Sequence, residues 1–94
     1  ITLCANGFFG PQGRQLRIPL ANPNFNDEVD RFEINGLNIL NYEMESSALY
    51  ALGGSLGHNC ICLCVVIANR KSQKFGVDYQ RAVGQLVSNV LDSI

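Results

Sequence analysis

The stretch NYEMESSALYALG, residues 41–53, decides how this chain folds. Ahead of it, LNILNYE alternates into a strand; behind it, Ser46 to Leu56 repeats small and apolar residues at helical spacing and stops at Gly57. Strand gives way to helix across Glu43, Met44 and Glu45. Acids are scarce in this chain, so a carboxylate pair at the junction raises a functional question as well as a structural one.

Upstream of that junction, Ile1 to Ala5 reads as a short strand running into ANGFFGPQGR, where Asn6-Gly7 and Gly10-Pro11 break any regular pattern and predict a loop. PLANPNFNDEVDRFEING predicts a short helix, with a turn around Pro23, an N-cap at Asn24 or Asn26, Asp27 and Glu28 in the first turn and a stop at Gly36. Downstream, NCICLCVVIAN is apolar on both faces, as a central parallel strand is. Tyr79, Val83, Leu86, Val87, Val90, Leu91 and Ile94 then form a stripe at helical spacing, which predicts an amphipathic C-terminal helix with its apolar face in the core.

The order strand, loop, helix, strand, helix, strand, helix predicts an α/β layered fold, a mostly parallel or mixed sheet with flanking helices. Ligands bind such sheets beyond the carboxyl ends of the strands. Three polar clusters each follow a strand: Phe8 to Arg14, Glu43 to Glu45, and Asn69 to Arg70. They are expected to meet in one crevice.

Composition narrows the possibilities. The 94 residues fit one domain or part of one, and the net charge is −1. Charged residues make up 16%, against about 25% in an average domain, so apolar faces are expected to rest on other protein, as in a homo-oligomer. The seven basic residues are dispersed, which argues against nucleic acid or a membrane surface as partner. The longest apolar run, Ile61 to Ala68, suits a buried strand and is too short to span a bilayer. The chain opens on Ile1 and its methionine is Met44, so the translation start is expected upstream; no signal or transit peptide is recognisable. Of Cys4, Cys60, Cys62 and Cys64, the last three alternate along one apolar run without C-x-x-C spacing. Buried reduced thiols, no metal site and a reducing, cytoplasmic setting are the expectation.

Each motif has a structural explanation beside the functional one. An ionised carboxylate only accepts hydrogen bonds, and its two oxygens can receive both hydroxyls of a vicinal diol, which suits Glu43 and Glu45 to a ribose. For a bare E-x-E, however, acids favoured at a helix N-terminus are explanation enough. GFFGPQGR offers an aromatic platform in Phe8 or Phe9, an amide in Gln12 and a fixed fork of donors in Arg14, a set that fits the carbonyl and imide edge of a pyrimidine. An ordinary Gly/Pro turn anchored by a phenylalanine accounts for the same spacing. Asn69 and Arg70 end an apolar strand, where returning to solvent is the simpler reading, and His58 lies in a loop with no identifiable partner.

Taken together, FFGPQGR, NYEMESSAL and VVIANR resemble the C-terminal half of the nucleoside phosphorylase family, in its uridine-cleaving branch, and the likeness runs through nearly the whole chain. The resemblance implies a nucleoside phosphorylase-like fold, of which residues 1–94 are the C-terminal part. It implies phosphorolysis of uridine to uracil and ribose 1-phosphate, with inorganic phosphate as co-substrate, no other cofactor, and assembly from dimers to hexamers. By matching position, Phe8 stacks near sugar and base, Gln12 and Arg14 bind uracil and act as the catalytic donors, and Arg70 assists at a uracil carbonyl. Met44 and Glu45 hold ribose with Glu43 supporting them, and Ile67 and Ala68 border the base. Purine-type relatives and nucleosidases carry an aspartate where this chain has Asn69-Arg70, which favours a pyrimidine. The family's phosphate loop has no counterpart in these residues, so this portion alone is expected to be inactive; a phosphorylase or nucleosidase of other base choice, or a non-catalytic remnant, are the alternatives.

Overall fold

The computed structural model describes residues 1–94. It divides into two compact units, Ile1–Cys62 and Leu63–Ile94.

In the first unit, strand β1 (Thr2–Cys4) lies parallel to strand β4 (Asn41–Glu43), pairing Thr2 with Asn41, Leu3 with Tyr42 and Cys4 with Glu43. The ladder continues past Cys4, where the Ala5 amide donates to the Glu43 carbonyl at 2.9 Å. Parallel strands need a long crossover, and the intervening chain supplies it. A 3₁₀ turn spans Gly10–Gln12, helix α1 runs Phe25–Arg31, and strands β2 (Glu33–Ile34) and β3 (Leu37–Asn38) form an antiparallel hairpin. Helix α2 (Ser46–Ser55) follows β4 directly. It ends as expected at Gly57: the His58 amide donates to Gly53 O at 2.8 Å and the Gly57 amide to Gly54 O at 3.2 Å, the paired bonds that close off the last carbonyls.

In the second unit, β5 (Ala68–Asn69) and β6 (Lys74–Phe75) make an antiparallel hairpin, and helix α3 (Tyr79–Leu91) follows. The Asp78 carboxylate caps α3 by accepting from the Arg81 amide at 3.3 Å.

Helices and strands do alternate, but no single layered sheet forms: the strands make three two-stranded sheets, with β1 and β4 as the parallel pair. The apolar run Ile61 to Ala68 is the main departure, because residues 61–67 join no strand. A central strand needs neighbours along both edges, and here the Cys62 amide donates instead to the Tyr50 hydroxyl at 2.9 Å. Cys60 and Cys62 are half-buried and Cys64 is exposed, all as free thiols, so the expected burial of this set holds only in part.

The helix expected to reach Gly36 stops at Arg31, since Asn35 (φ 52) and Gly36 (φ 75) both adopt left-handed backbone and turn the chain into the β2–β3 hairpin. Asn-Gly is the favoured sequence for such a two-residue turn. Asn24 is the N-cap residue of α1, without a side-chain bond, and Asn26 lies inside the helix.

The core is slight. Ala5 is the buried hydrophobic residue and Gln12 the buried polar one. The α3 stripe, expected as core, is covered only in part: Leu86 and Val90 are half-buried, while Val83 is 41%, Val87 51% and Leu91 63% exposed.

Candidate functional site

The β1–β4 pairing brings two of the three polar clusters to neighbouring strand ends. β1 leads into the Phe8–Arg14 loop and β4 into Glu43-Met44-Glu45, and Cys4 and Glu43 are direct partners at the end of the ladder.

The loop is held by its own backbone. The amides of Gln12 and Arg14 both donate to Phe9 O, at 3.0 and 2.9 Å, and Gly13 N donates to Gly10 O at 2.8 Å. Pro11 stands in the first turn, where its missing N–H costs nothing. Gly13 closes the turn at φ 67, a region that a side chain enters at a cost. The result is a tight frame that carries Gln12 and Arg14.

Those two side chains and Phe8 engage each other. The Arg14 guanidinium carbon sits 3.8 Å from the centre of the Phe8 ring, a cation–π arrangement, and Phe9 meets Phe8 edge to face with centroids 5.2 Å apart. Arg14 Nη1 donates to the Phe8 carbonyl and, at 2.7 Å, to Gln12 Oε1. A guanidinium only donates, so this bond fixes which end of the Gln12 amide faces it. Gln12 is 4% exposed, whereas Phe8 is 51% exposed. The ring is thus braced by Arg14 and by Phe9, with about half of Phe8 left exposed.

Glu43 behaves differently from Glu45. Its Oε2 accepts from the amides of Glu45 and Ser46, each at 2.7 Å, and its Oε1 accepts from the Ser46 hydroxyl. These amides belong to the N-cap residue and the first residue of α2, so Glu43 satisfies donors at the helix N-terminus from three residues ahead of Ser46. Hydrogen bonding from the Cys4 side chain, and then from Ser46, lowers its pKa from 4.5 to about 2. Glu43 is therefore a fixed anion occupied by the backbone. Glu45 is exposed, and its carboxylate accepts from the adjacent Met44 amide at 3.1 Å. Met44, also exposed at 39%, completes a segment that leaves a carboxylate and a thioether accessible at the strand end.

Asn26, read from sequence only as a possible cap, has a tertiary role. Its Nδ2 donates to Gly13 O at 3.0 Å, and its Oδ1 accepts from the Tyr42 hydroxyl at 3.1 Å. The base-loop candidate and the strand carrying Glu43 are thereby joined through one amide. No sequence signal reveals this, because both partners lie more than ten positions away.

Ile67, Ala68 and Arg70 belong to the second unit. Ala68 is in β5, paired with Phe75; Ile67 O accepts from Gly76 N at 2.7 Å; Arg70, half-buried, starts the turn between β5 and β6. In the first unit, a groove of about 1080 Å³ runs along Phe9, Pro11, Arg14, Leu16, Ile18 and Phe25. It reaches Arg14 but not Phe8, Gln12 or the Glu43–Glu45 segment, so it is not the crevice expected from the strand ends. There is no cluster of three or more His, Cys, Asp or Glu side chains suited to a metal ion, and no helix is long and apolar enough to cross a membrane.

A uridine phosphorylase from Thermococcus kodakarensis is 30% identical over 82 residues, covering 81% of this chain. The similarity marks a distant relation. The chain spans 27% of that relative's length. No protein-family model and no solved structure matches the chain.

Proposed function

We propose that this chain carries the uracil- and ribose-recognition segments of a uridine phosphorylase, an enzyme that cleaves uridine with inorganic phosphate to give uracil and ribose 1-phosphate. The observation that supports this best is the parallel β1–β4 pair, whose neighbouring ends lead into the Phe8–Arg14 loop and into Glu43-Met44-Glu45. The distant similarity to a uridine phosphorylase points the same way.

In this reading Phe8 offers its ring face to the nucleoside, and Gln12 and Arg14 bind the carbonyl and imide edge of uracil. Glu45 receives ribose hydroxyls, Met44 packs against the sugar, and Glu43 holds the Glu45 and Ser46 amides at the start of α2. Ile67 and Ala68 border the base and Arg70 assists at a uracil carbonyl.

Breaking the glycosidic bond builds positive charge on the sugar and negative charge on uracil, spread over its carbonyl oxygens. Donors already braced in place stabilise that charge without reorganising, an effect whose loss typically costs ~10²-fold or more in rate. Arg14, fixed against Phe8 and Gln12, has this character. Phosphate attacks the anomeric carbon as uracil leaves. Asn69-Arg70, in place of an acid, suits a pyrimidine leaving group, which needs no proton on a ring nitrogen to depart. Inorganic phosphate is the co-substrate, no further cofactor is needed, and the working form is a cytoplasmic homo-oligomer.

The test is uracil release from uridine by the intact gene product, with and without inorganic phosphate, beside a panel of purine nucleosides. Phosphate-dependent release from uridine supports the proposal. Release without phosphate indicates a nucleosidase, preference for a purine indicates another branch, and no release from any nucleoside indicates a non-catalytic protein.

A further inference from the structure

We propose that Asn26 is a positioning residue that ties the base-binding loop to the ribose-binding strand and so sets the spacing between the two ends of a bound nucleoside. The proposal rests on the functional reading above for its ligand, but the tether itself is a property of the free protein.

The chemistry of the bridge fixes its direction. Gly13 O can only accept, so the amide nitrogen of Asn26 must face it, at 3.0 Å; Oδ1 is then turned toward the Tyr42 hydroxyl, which donates across 3.1 Å. Gly13 precedes Arg14, a proposed ligand contact, and Tyr42 precedes Glu43, whose carboxylate holds the Glu45 amide. The closeness of the first arm has a sequence correlate. A β-carbon on Gly13 would lie 2.5–2.7 Å from the Asn26 amide atoms, so glycine there admits Asn26 as well as the turn.

The helix that presents Asn26 is itself fixed at its start. Asn22 Oδ1 accepts from the Asn24 amide at 3.0 Å, and Asn22 Nδ2 donates to Glu28 Oε2 at 2.8 Å. A short helix anchored in this way can serve as a strut between loop and strand. Asparagine, with one donor and one acceptor on a short stem, joins a carbonyl to a hydroxyl where aspartate or leucine cannot.

Two variants cut the arms separately. Asn26→Asp keeps an acceptor for Tyr42 but loses the donor to Gly13; Tyr42→Phe does the reverse. Because the arms act in series, each variant and the double variant should weaken uridine binding by the same roughly three- to tenfold, measured by calorimetry on the intact gene product. Binding of uracil alone, which uses one end of the site, should be unchanged. In the ligand-free protein, Asn26→Asp should speed hydrogen exchange at the Gln12, Gly13 and Arg14 amides while leaving the α2 amides as they were.

Equal loss of uridine and uracil, or additive losses in the double variant, overturns the proposal. So does unchanged exchange in the loop. If the unaltered protein binds neither ligand, the functional reading fails, and the exchange measurement alone then decides whether the tether exists.

Discussion

Cys4 and Glu43 are partners in the last register position of the parallel β1–β4 pair, and the thiol contributes to holding the carboxylate in its ionised form. From that point the chain leaves in two directions, into the Phe8–Arg14 loop and into α2. Glu43 thereby joins strand pairing to helix capping.

Stability should follow the Glu43 titration. Its folded-state pKa lies below the ordinary 4.5, at about 2, so the ionised form stabilises the fold above the ordinary value, and this contribution is lost as pH falls through that window toward about 2. Glu43→Gln removes the effect. Chemical unfolding of both proteins between these pH values should show their stability difference shrinking as pH drops; a difference that stays constant contradicts the capping role.

Gly13→Ala should destabilise the first unit by roughly 1–2 kcal/mol from the left-handed backbone alone, with more from the collision with Asn26. Gly10→Ala is the matched control, since a β-carbon there meets nothing within 4 Å, and it should stay within about 0.5 kcal/mol. Thermal unfolding of the pair checks this. Equal effects would show that the Gly13 turn is not under the constraint described.

Substitutions on the two segments should separate base from sugar. Gln12→Ala should lower the rate of uridine cleavage ~10²-fold and relax base choice, while Glu45→Ala should raise KM for uridine roughly tenfold or more and leave base choice alone. A substrate panel with steady-state kinetics distinguishes them; uniform loss on every nucleoside for both variants contradicts the assignment.

Self-association should depend on α3. Its stripe of Tyr79, Val83, Val87 and Leu91 is exposed, and apolar surface of that kind tends to be covered by another protein surface. Sedimentation of the intact gene product should show an assembly larger than a monomer, and Val83→Glu with Val87→Glu should shift it toward monomer. A purely monomeric unaltered protein contradicts this.

The parts of the fold legible in sequence are those set by local pattern. The small-residue run Ser46 to Leu56 became α2, the stripe from Tyr79 became α3 and Ile1 to Ala5 delivered β1, whereas LNILNYE, expected as one strand, is broken at residues 39–40 into β3 and β4, which pair in different sheets. Asn35-Gly36 carried a hairpin signal that the acids of the preceding helix obscured. NCICLCVVIAN misled because apolar content shows that a strand would be buried but not whether partner strands are within reach. For the site, residue types identified candidate binders, and the parallel pairing brought two clusters to adjacent ends. The stacking of Arg14 on Phe8, the occupation of Glu43 by the α2 amides and the Asn26 bridge were not legible, since each depends on where distant backbone groups end up.

That one nucleoside engages both the loop after β1 and the segment after β4 is tested most directly by titrating uridine into the isotope-labelled intact gene product and following assigned side-chain and amide resonances. Gln12 and Arg14 should shift together with Met44 and Glu45 at a single binding constant, and uracil alone should move only the first pair. Shifts confined to one segment with uridine, or none in either, would contradict a shared site.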